Sequence, residues 1–248
     1  MFDIFQECVK LKYFVFILEY IKTTKMTDST DQMLSTLTQQ LSIDDTPSIE
    51  VLGEKMCSYL DKIKIPLTGD EDGRLESLKC EDQVTDRIRT KFPNVTFLEK
   101  GCNREFGDIT PVINGEEFPI NVKMVDPTKS ATYNGGGPKT FNYVLFGEGV
   151  TTWDRLAKKI KTNKPKKCAK PYYYLIYYKN STMKTVFCSL ANLSDNSVVS
   201  NPSNPIQLKK NIEIVQRTDE EQANFVVGIF KECALKRAQA YLILMEGI

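Results

Sequence analysis

Gly107-Asp108-Ile109-Thr110-Pro111-Val112-Ile113-Asn114-Gly115-Glu116-Glu117-Phe118-Pro119-Ile120-Asn121-Val122-Lys123-Met124 is the stretch on which the architecture turns. Two runs of alternating apolar residues meet at Asn114-Gly115, a pair that tolerates the positive φ angles of a tight turn, so the stretch reads as a β-hairpin. Along the second run a period of two sets Phe118, Ile120, Val122 and Met124 on one face, and Pro119, Asn121 and Lys123 on the other. Asp108 is then expected to meet Asn121 and Lys123 at one point. A carboxylate, a neutral oxygen ligand and an ammonium on one face suit a hard divalent metal beside an anionic substrate, and phosphodiester hydrolysis fits best. The competing interpretation is a hairpin whose outward face is simply polar.

Composition narrows the chemistry. The 248 residues contain no histidine, which excludes Ser-His-Asp triads, Cys-His pairs, HExxH metalloproteases and histidine-dependent nucleases. Carboxylate, lysine and metal chemistry remain. Seven widely spaced cysteines contain no CxxC pair, so neither a disulfide framework nor a zinc site is expected, and a reducing, intracellular and cytoplasmic setting is. With a net charge of +1, attraction to a polyanion must come from local lysine clusters. No GxxxxGK[ST] loop is present.

Residues 1–48 are read as an N-terminal extension or arm, partly mobile, and 49–248 as one main domain. The apolar stretch Tyr13 to Ile21 is interrupted by Glu19, is too short to span a bilayer and lacks the basic flank of a signal peptide, so no membrane association is expected. It can form an amphipathic helix. Met26 resembles an ordinary protein start, and the N-terminal mass of the native product checks that expectation.

Apolar positions at helical spacing predict a helix over Ile49 to Ile63, with Val51, Leu52, Met56, Tyr59, Leu60 and Ile63 on its stripe and Pro66 beyond its end. A second helix is predicted from about Arg74 to Phe92, with Leu75, Leu78, Val84 and Ile88 facing inward. Glu81 sits at the edge of that face, either as an ordinary ion-paired acid or as a carboxylate aimed at the metal site. Strands are predicted at Val95 to Leu98, Tyr172 to Tyr178 and Lys184 to Leu190. Further helices are predicted at 150–162 and at 219–244, the latter with Ala223, Val226, Val227, Phe230, Cys233, Ala234, Ala238, Tyr241 and Leu242 on one stripe. The mixed order predicts an α/β fold, a central mixed β-sheet flanked by helices.

Gly107-Asp108-Ile109 followed by Pro119-Ile120-Asn121-Val122-Lys123 resembles the PD-(D/E)xK nuclease superfamily, type II restriction endonucleases in particular. The downstream order adds to the likeness: the loop Ser130 to Asn134, Asn142 to Gly147, Trp153 with its basic helix, the tyrosine-rich strand ending in Lys179, Val186 to Leu190, and Asn201 to Gln207. Roughly residues 75–245 are covered. The resemblance implies a restriction-endonuclease-like fold and assigns Asp108 as metal carboxylate and Lys123 as the lysine that orients or activates the attacking water. The backbone carbonyl of Val122 would be a further metal ligand. Asn121 stands where the family carries a second acid, and an amide is a weaker ligand without the negative charge. Glu81 could supply the missing carboxylate; otherwise the site is weak or inactive. Mg²⁺, with Mn²⁺ as substitute, would support hydrolysis to a 5′-phosphate and a 3′-hydroxyl.

The implied substrate is double-stranded DNA, cut by a homodimer with one site per strand of a palindrome, in a system that also holds a DNA methyltransferase. Lys158, Lys159, Lys161, Lys164, Lys166, Lys167 and Lys170 run without an intervening acid and are candidate phosphate contacts, or a solvated helix end. Ser130, Thr132, Tyr133, Asn134 and Lys139, with Asn201, Asn204 and Gln207, are candidates for reading bases. The tyrosines from Tyr172 to Tyr178 could stack on bases, but core packing is the expectation. Two alternatives stay open: a structure-specific or repair nuclease of the same fold, and a non-catalytic DNA-binding module.

Overall fold

The computed structural model describes residues 47–65, 73–99, 107–128, 132–202 and 206–246, all within the unit Pro47–Ile248, and the backbone alone at 73–78 and 246. Residues 1–46 of the expected arm, Pro66, the side chains of Leu75 and Leu78, and the candidates Ser130 and Asn204 lie outside the described residues. The chain runs α1 (Ile49–Leu60), α2 (Gly73–Lys91), β1 (Thr96–Phe97), β2 (Pro111–Ile113), β3 (Glu116–Glu117), β4 (Ile120–Val125) and β5 (Thr132–Gly136). There follow α3 (Pro138–Phe146), α4 (Trp153–Asn163), β6 (Tyr173–Tyr178), β7 (Val186–Ser189), β8 (Val198–Val199), β9 (Ile206–Lys209) and α5 (Asp219–Glu246).

Strand β6 is buried at all six positions, so both of its faces need cover. Tyr173, Leu175 and Tyr177 face a core built by α1 and α2, including Leu52, Met56, Leu60, Val84 and Ile88. Tyr174, Ile176 and Tyr178 face a second core built by α3, α4 and α5, including Phe141, Leu156, Val226 and Phe230. Strand β4 lies parallel to β6 on one side and β7 antiparallel on the other, so the sheet β4-β6-β7 is mixed and sits between two helical layers. The tyrosine hydroxyls of β6 find partners inside the protein: Tyr173 donates to Glu50, Tyr174 to the Gly135 carbonyl, Tyr177 to the Ile63 carbonyl and Tyr178 to the Lys210 carbonyl. They are core residues, as expected.

The fold is mixed α/β, with five helices and three three-stranded sheets among the described residues. One expectation needs correction. The Asn114-Gly115 turn does close a hairpin, both residues having positive φ (52° and 79°), but its arms are only β2 and β3. After Phe118-Pro119 the chain leaves that hairpin, and β4 joins β6 instead. The cause is burial: Ile120, Val122, Met124 and Val125 are all buried, and a two-stranded hairpin could not cover them. The first hairpin sheet, β1-β2-β3, meets β4 beside the antiparallel bridge Ile109 to Ile120 and shares a core with it through Ile113.

Helix α1 keeps the predicted stripe except that Val51 is 41% exposed and Ile49 is buried in its stead. Its Gly53 lies directly against the Phe187 ring of β7, where a Cβ would collide with the ring. In α5 the predicted stripe is buried only as far as Cys233, and Ala238, Tyr241 and Leu242 are exposed. Periodicity continues there, but no described element packs over it.

Candidate active site

Strand β4 has one edge paired to β6 and one edge turned toward Asp108 and α2. Along that second edge the backbone N–H groups of alternate residues need acceptors. The Ile120 N–H donates to the Ile109 carbonyl (2.9 Å), the Val122 N–H to Asp108 Oδ2 (2.9 Å), and the Met124 N–H to the Glu81 carboxylate. Two carboxylates from different parts of the chain thus cap neighbouring rungs of one strand. A residue's carbonyl leaves a strand on the same side as its N–H, so the Val122 carbonyl points out at this edge as well.

Asp108 is fixed by its backbone: its N–H and that of Ile109 both donate to the Ile120 carbonyl, at 2.9 and 3.2 Å. Gly107 makes this approach feasible, since a Cβ there would stand 2.8 Å from the backbone N and O of Ile120. The glycine before the aspartate therefore has a steric reason: only a residue without Cβ fits this close to β4.

Glu81 projects from α2 onto Lys123, with Oε1 3.3 Å from Nζ and both side chains mostly shielded (14% and 17% exposed). Its carboxyl pKa is raised from the ordinary 4.5, chiefly because burial disfavours the charged form, with the negative Asp108 adding to the effect. Lys123 and the Met124 N–H pull the other way and do not overcome the desolvation. Glu81 is therefore a shielded acid ion-paired with Lys123 beside Asp108, not an exposed surface acid.

Asn121 lies on the opposite face of β4 from Val122. Its Nδ2 donates to the Tyr172 hydroxyl at 2.8 Å, while its Oδ1 is buried and has no hydrogen-bond partner. A buried acceptor without a donor is costly, and such an atom marks a place where a further group belongs. Tyr172 is also buried and senses the Asp108 charge, which sets these three residues in one neighbourhood.

Among the described residues no cluster holds three or more of His, Cys, Asp and Glu. The oxygens that a metal here could draw on are two carboxylates, Asp108 and Glu81, and two neutral groups, Asn121 Oδ1 and the Val122 carbonyl. All are hard oxygen donors, and one of them is partnerless, so the residues present fit Mg²⁺ or Mn²⁺.

The candidate DNA contacts fare unevenly. The segment 132–136 is a strand rather than a loop and pairs with β9, so Asn134 lies opposite Gln207 and Thr132 opposite Lys209. Thr132 Oγ1 donates to Gln207 Oε1 at 3.1 Å, and the two sequence-distant candidate segments become one polar ribbon face. Tyr133 points the other way, packed against the core with its hydroxyl buried, and is removed from the base-reading set. The alternation of β5, with Tyr133 apolar-facing between Thr132 and Asn134, was the signal for this. Lys139 is exposed in the first turn of α3, and Asn201 is half-buried, its carbonyl accepting from Cys233 Sγ. Lys158 and Lys161 are exposed on α4, but Lys159 is ion-paired with Glu148 and lies 4.4 Å over the Phe146 ring. Its role is to hold α4 against the end of α3, not to offer a free charge.

Five cysteines, Cys57, Cys80, Cys168, Cys188 and Cys233, are free. Burial pushes the thiols of Cys57 and Cys188 up to about 12, which leaves them protonated and unreactive. No helix among the described residues is long and apolar enough to cross a membrane. No known protein-family model matches the chain, and no curated protein matches it.

Proposed function

We propose that the chain is a Mg²⁺-dependent endonuclease that hydrolyses double-stranded DNA at specific sequences, with a restriction-endonuclease-like arrangement about β4. The observation that carries this reading is the meeting of Asp108, Glu81 and the Lys123 ammonium at the free edge of β4, with Asn121, whose oxygen has no partner, next along the same strand. A bound Mg²⁺, for which Mn²⁺ would substitute, supplies neutralisation of phosphate charge and a lowered pKa for water.

The chain's own residues do the rest. Asp108 and Glu81 provide the negative charge that draws in a divalent cation, and Asn121 Oδ1 and the Val122 carbonyl complete the oxygen set without adding charge. Lys123 is a point cation with rotatable donors, suited to hold the incoming water and to stabilise the extra negative charge at phosphorus in the transition state. The water oxygen bonds to phosphorus as the bond to O3′ breaks. The leaving oxygen takes up a proton to become a 3′-hydroxyl, and the 5′-phosphate stays on the other fragment.

Lys158 and Lys161 on α4 are suited to phosphate contact, and the polar face of β5 and β9, with Thr132, Asn134 and Gln207, presents amide groups on a ribbon of the kind that enters a major groove. A homodimer would set one such site on each strand of a palindrome, and a matching DNA methyltransferase would protect the host.

Asn121 favours one rival, a DNA-binding module that has lost catalysis, because the site carries one negative charge fewer than an acid at position 121 would give. Lys123→Ala separates the two. The enzyme reading expects a rate loss of about 10²-fold or more with DNA binding retained, whereas the binding module expects no change in either quantity.

A further inference from the structure

An amide differs from a carboxylate in having only one oxygen. A carboxylate presents an oxygen whichever way it rotates, but an asparagine turned by 180° offers an NH₂ group, which repels a cation. For Asn121 to serve in the donor set, something must fix its rotation. The structure supplies one candidate: the Tyr172 hydroxyl, 2.8 Å from Asn121 Nδ2. A phenol could also donate to an amide oxygen, but Tyr172 is hydrogen-bonded to Thr140 as well, and with its proton turned to Thr140 its oxygen accepts only from the NH₂ group, which leaves Asn121 Oδ1 facing away and without a partner.

Tyr172 is well placed to hold that orientation. Its side chain is 3% exposed, and its ring packs edge-on against Tyr143 (6.5 Å) and Tyr174 (5.5 Å). Tyr172 precedes β6, where the Tyr173 N–H donates to the Pro119 carbonyl and the Tyr172 carbonyl accepts from the Leu190 N–H. The phenol is thus registered to β4 by the parallel pairing of the two strands, Ile120 opposite Tyr173.

We propose that Tyr172 is a positioning residue that fixes the rotation of the Asn121 amide, so that Oδ1 faces the cation site and a neutral side chain can take the place of an acid. This rests on the metal-site reading given above. Tyr172 touches neither substrate nor metal and acts through Asn121 alone.

The test is a double-mutant cycle read by Mn²⁺ binding, with free Mn²⁺ followed by electron paramagnetic resonance and no DNA present. Tyr172→Phe removes one oxygen, and thermal unfolding of each variant checks that the fold is kept. In the wild-type background Tyr172→Phe is expected to weaken Mn²⁺ binding about 10-fold, the scale on which groups that orient metal ligands act. In an Asn121→Asp background the same change is expected to alter binding less than about 2-fold, because either carboxylate oxygen can face the metal. Equal losses in the two backgrounds would mean that Tyr172 only packs, which overturns this proposal and leaves the metal site standing. If wild-type protein binds no Mn²⁺, or binds it equally well after Asp108→Ala, the metal-site reading fails and this proposal fails with it.

Discussion

Asp108, Glu81 and Lys123 form a small charge balance in which two acids share one cation, and burial keeps the Glu81 pKa raised in spite of that cation. Its raised pKa means that, between 4.5 and the raised value, the folded state binds more protons at this group than the unfolded chain does, so stability falls as pH rises through that window. Glu81→Gln removes the titration. The difference in unfolding free energy between variant and wild type is therefore expected to shift in the variant's favour as pH climbs through the window, measured by urea denaturation without divalent metal. Mn²⁺ affinity of the wild type is expected to rise over the same window, since the metal must displace the Glu81 proton. For Asp108→Ala the expectation is loss of Mn²⁺ binding by isothermal calorimetry, with a small effect on folding beyond the Val122 N–H left without its acceptor, about 1 to 3 kcal/mol.

Strand β4 is the element on which the site depends, and its environment was only partly legible from sequence. Alternation correctly put Ile120, Val122 and Met124 on the buried side and Asn121 and Lys123 opposite them, because side-chain period depends only on local geometry. Its partner was not legible: Asn114-Gly115 predicted antiparallel pairing, and the turn is real, but the parallel pairing with β6 is set by contacts more than fifty residues away. Glu81 was open for the same reason, since only the packing of α2 on β4 brings its carboxylate onto Lys123. Gly107 allows a sharp test of the edge. Gly107→Ala puts a Cβ 2.8 Å from the Ile120 backbone and is expected to cost about 1 to 3 kcal/mol, with loss of metal binding as Asp108 is pushed off β4. Gly115→Ala is the control: its φ of 79° makes the change cost about 1 kcal/mol, but its Cβ would meet nothing within 4 Å, so metal binding should persist. Thermal unfolding and calorimetry read both.

Over the whole molecule, two helical layers hold a thin mixed sheet at a fixed level, and the site lies where the edge of that sheet meets α2 and the short sheet of β1, β2 and β3. The α/β class could be read from the order of periodic segments, and four of the five described helices match stretches that the spacing had marked, whereas α3 (Pro138–Phe146) was not predicted as a helix. The pairing of β5 with β9 could not, because alternation within Thr132 to Gly136 tells which way its side chains face but not which distant strand it joins. If Lys158 and Lys161 contact phosphates, replacing either by Ala should reduce the salt slope of DNA binding by about one and weaken binding alike across sequences. Lys159, held by Glu148, should give a smaller change. The most direct measurement is digestion of a long, unmethylated duplex of known sequence by purified protein with Mg²⁺, alongside Asp108→Ala and EDTA controls. The account predicts discrete fragments with 5′-phosphate ends that vanish in both controls; salt-dependent binding with no cleavage under Mg²⁺ or Mn²⁺ would contradict it.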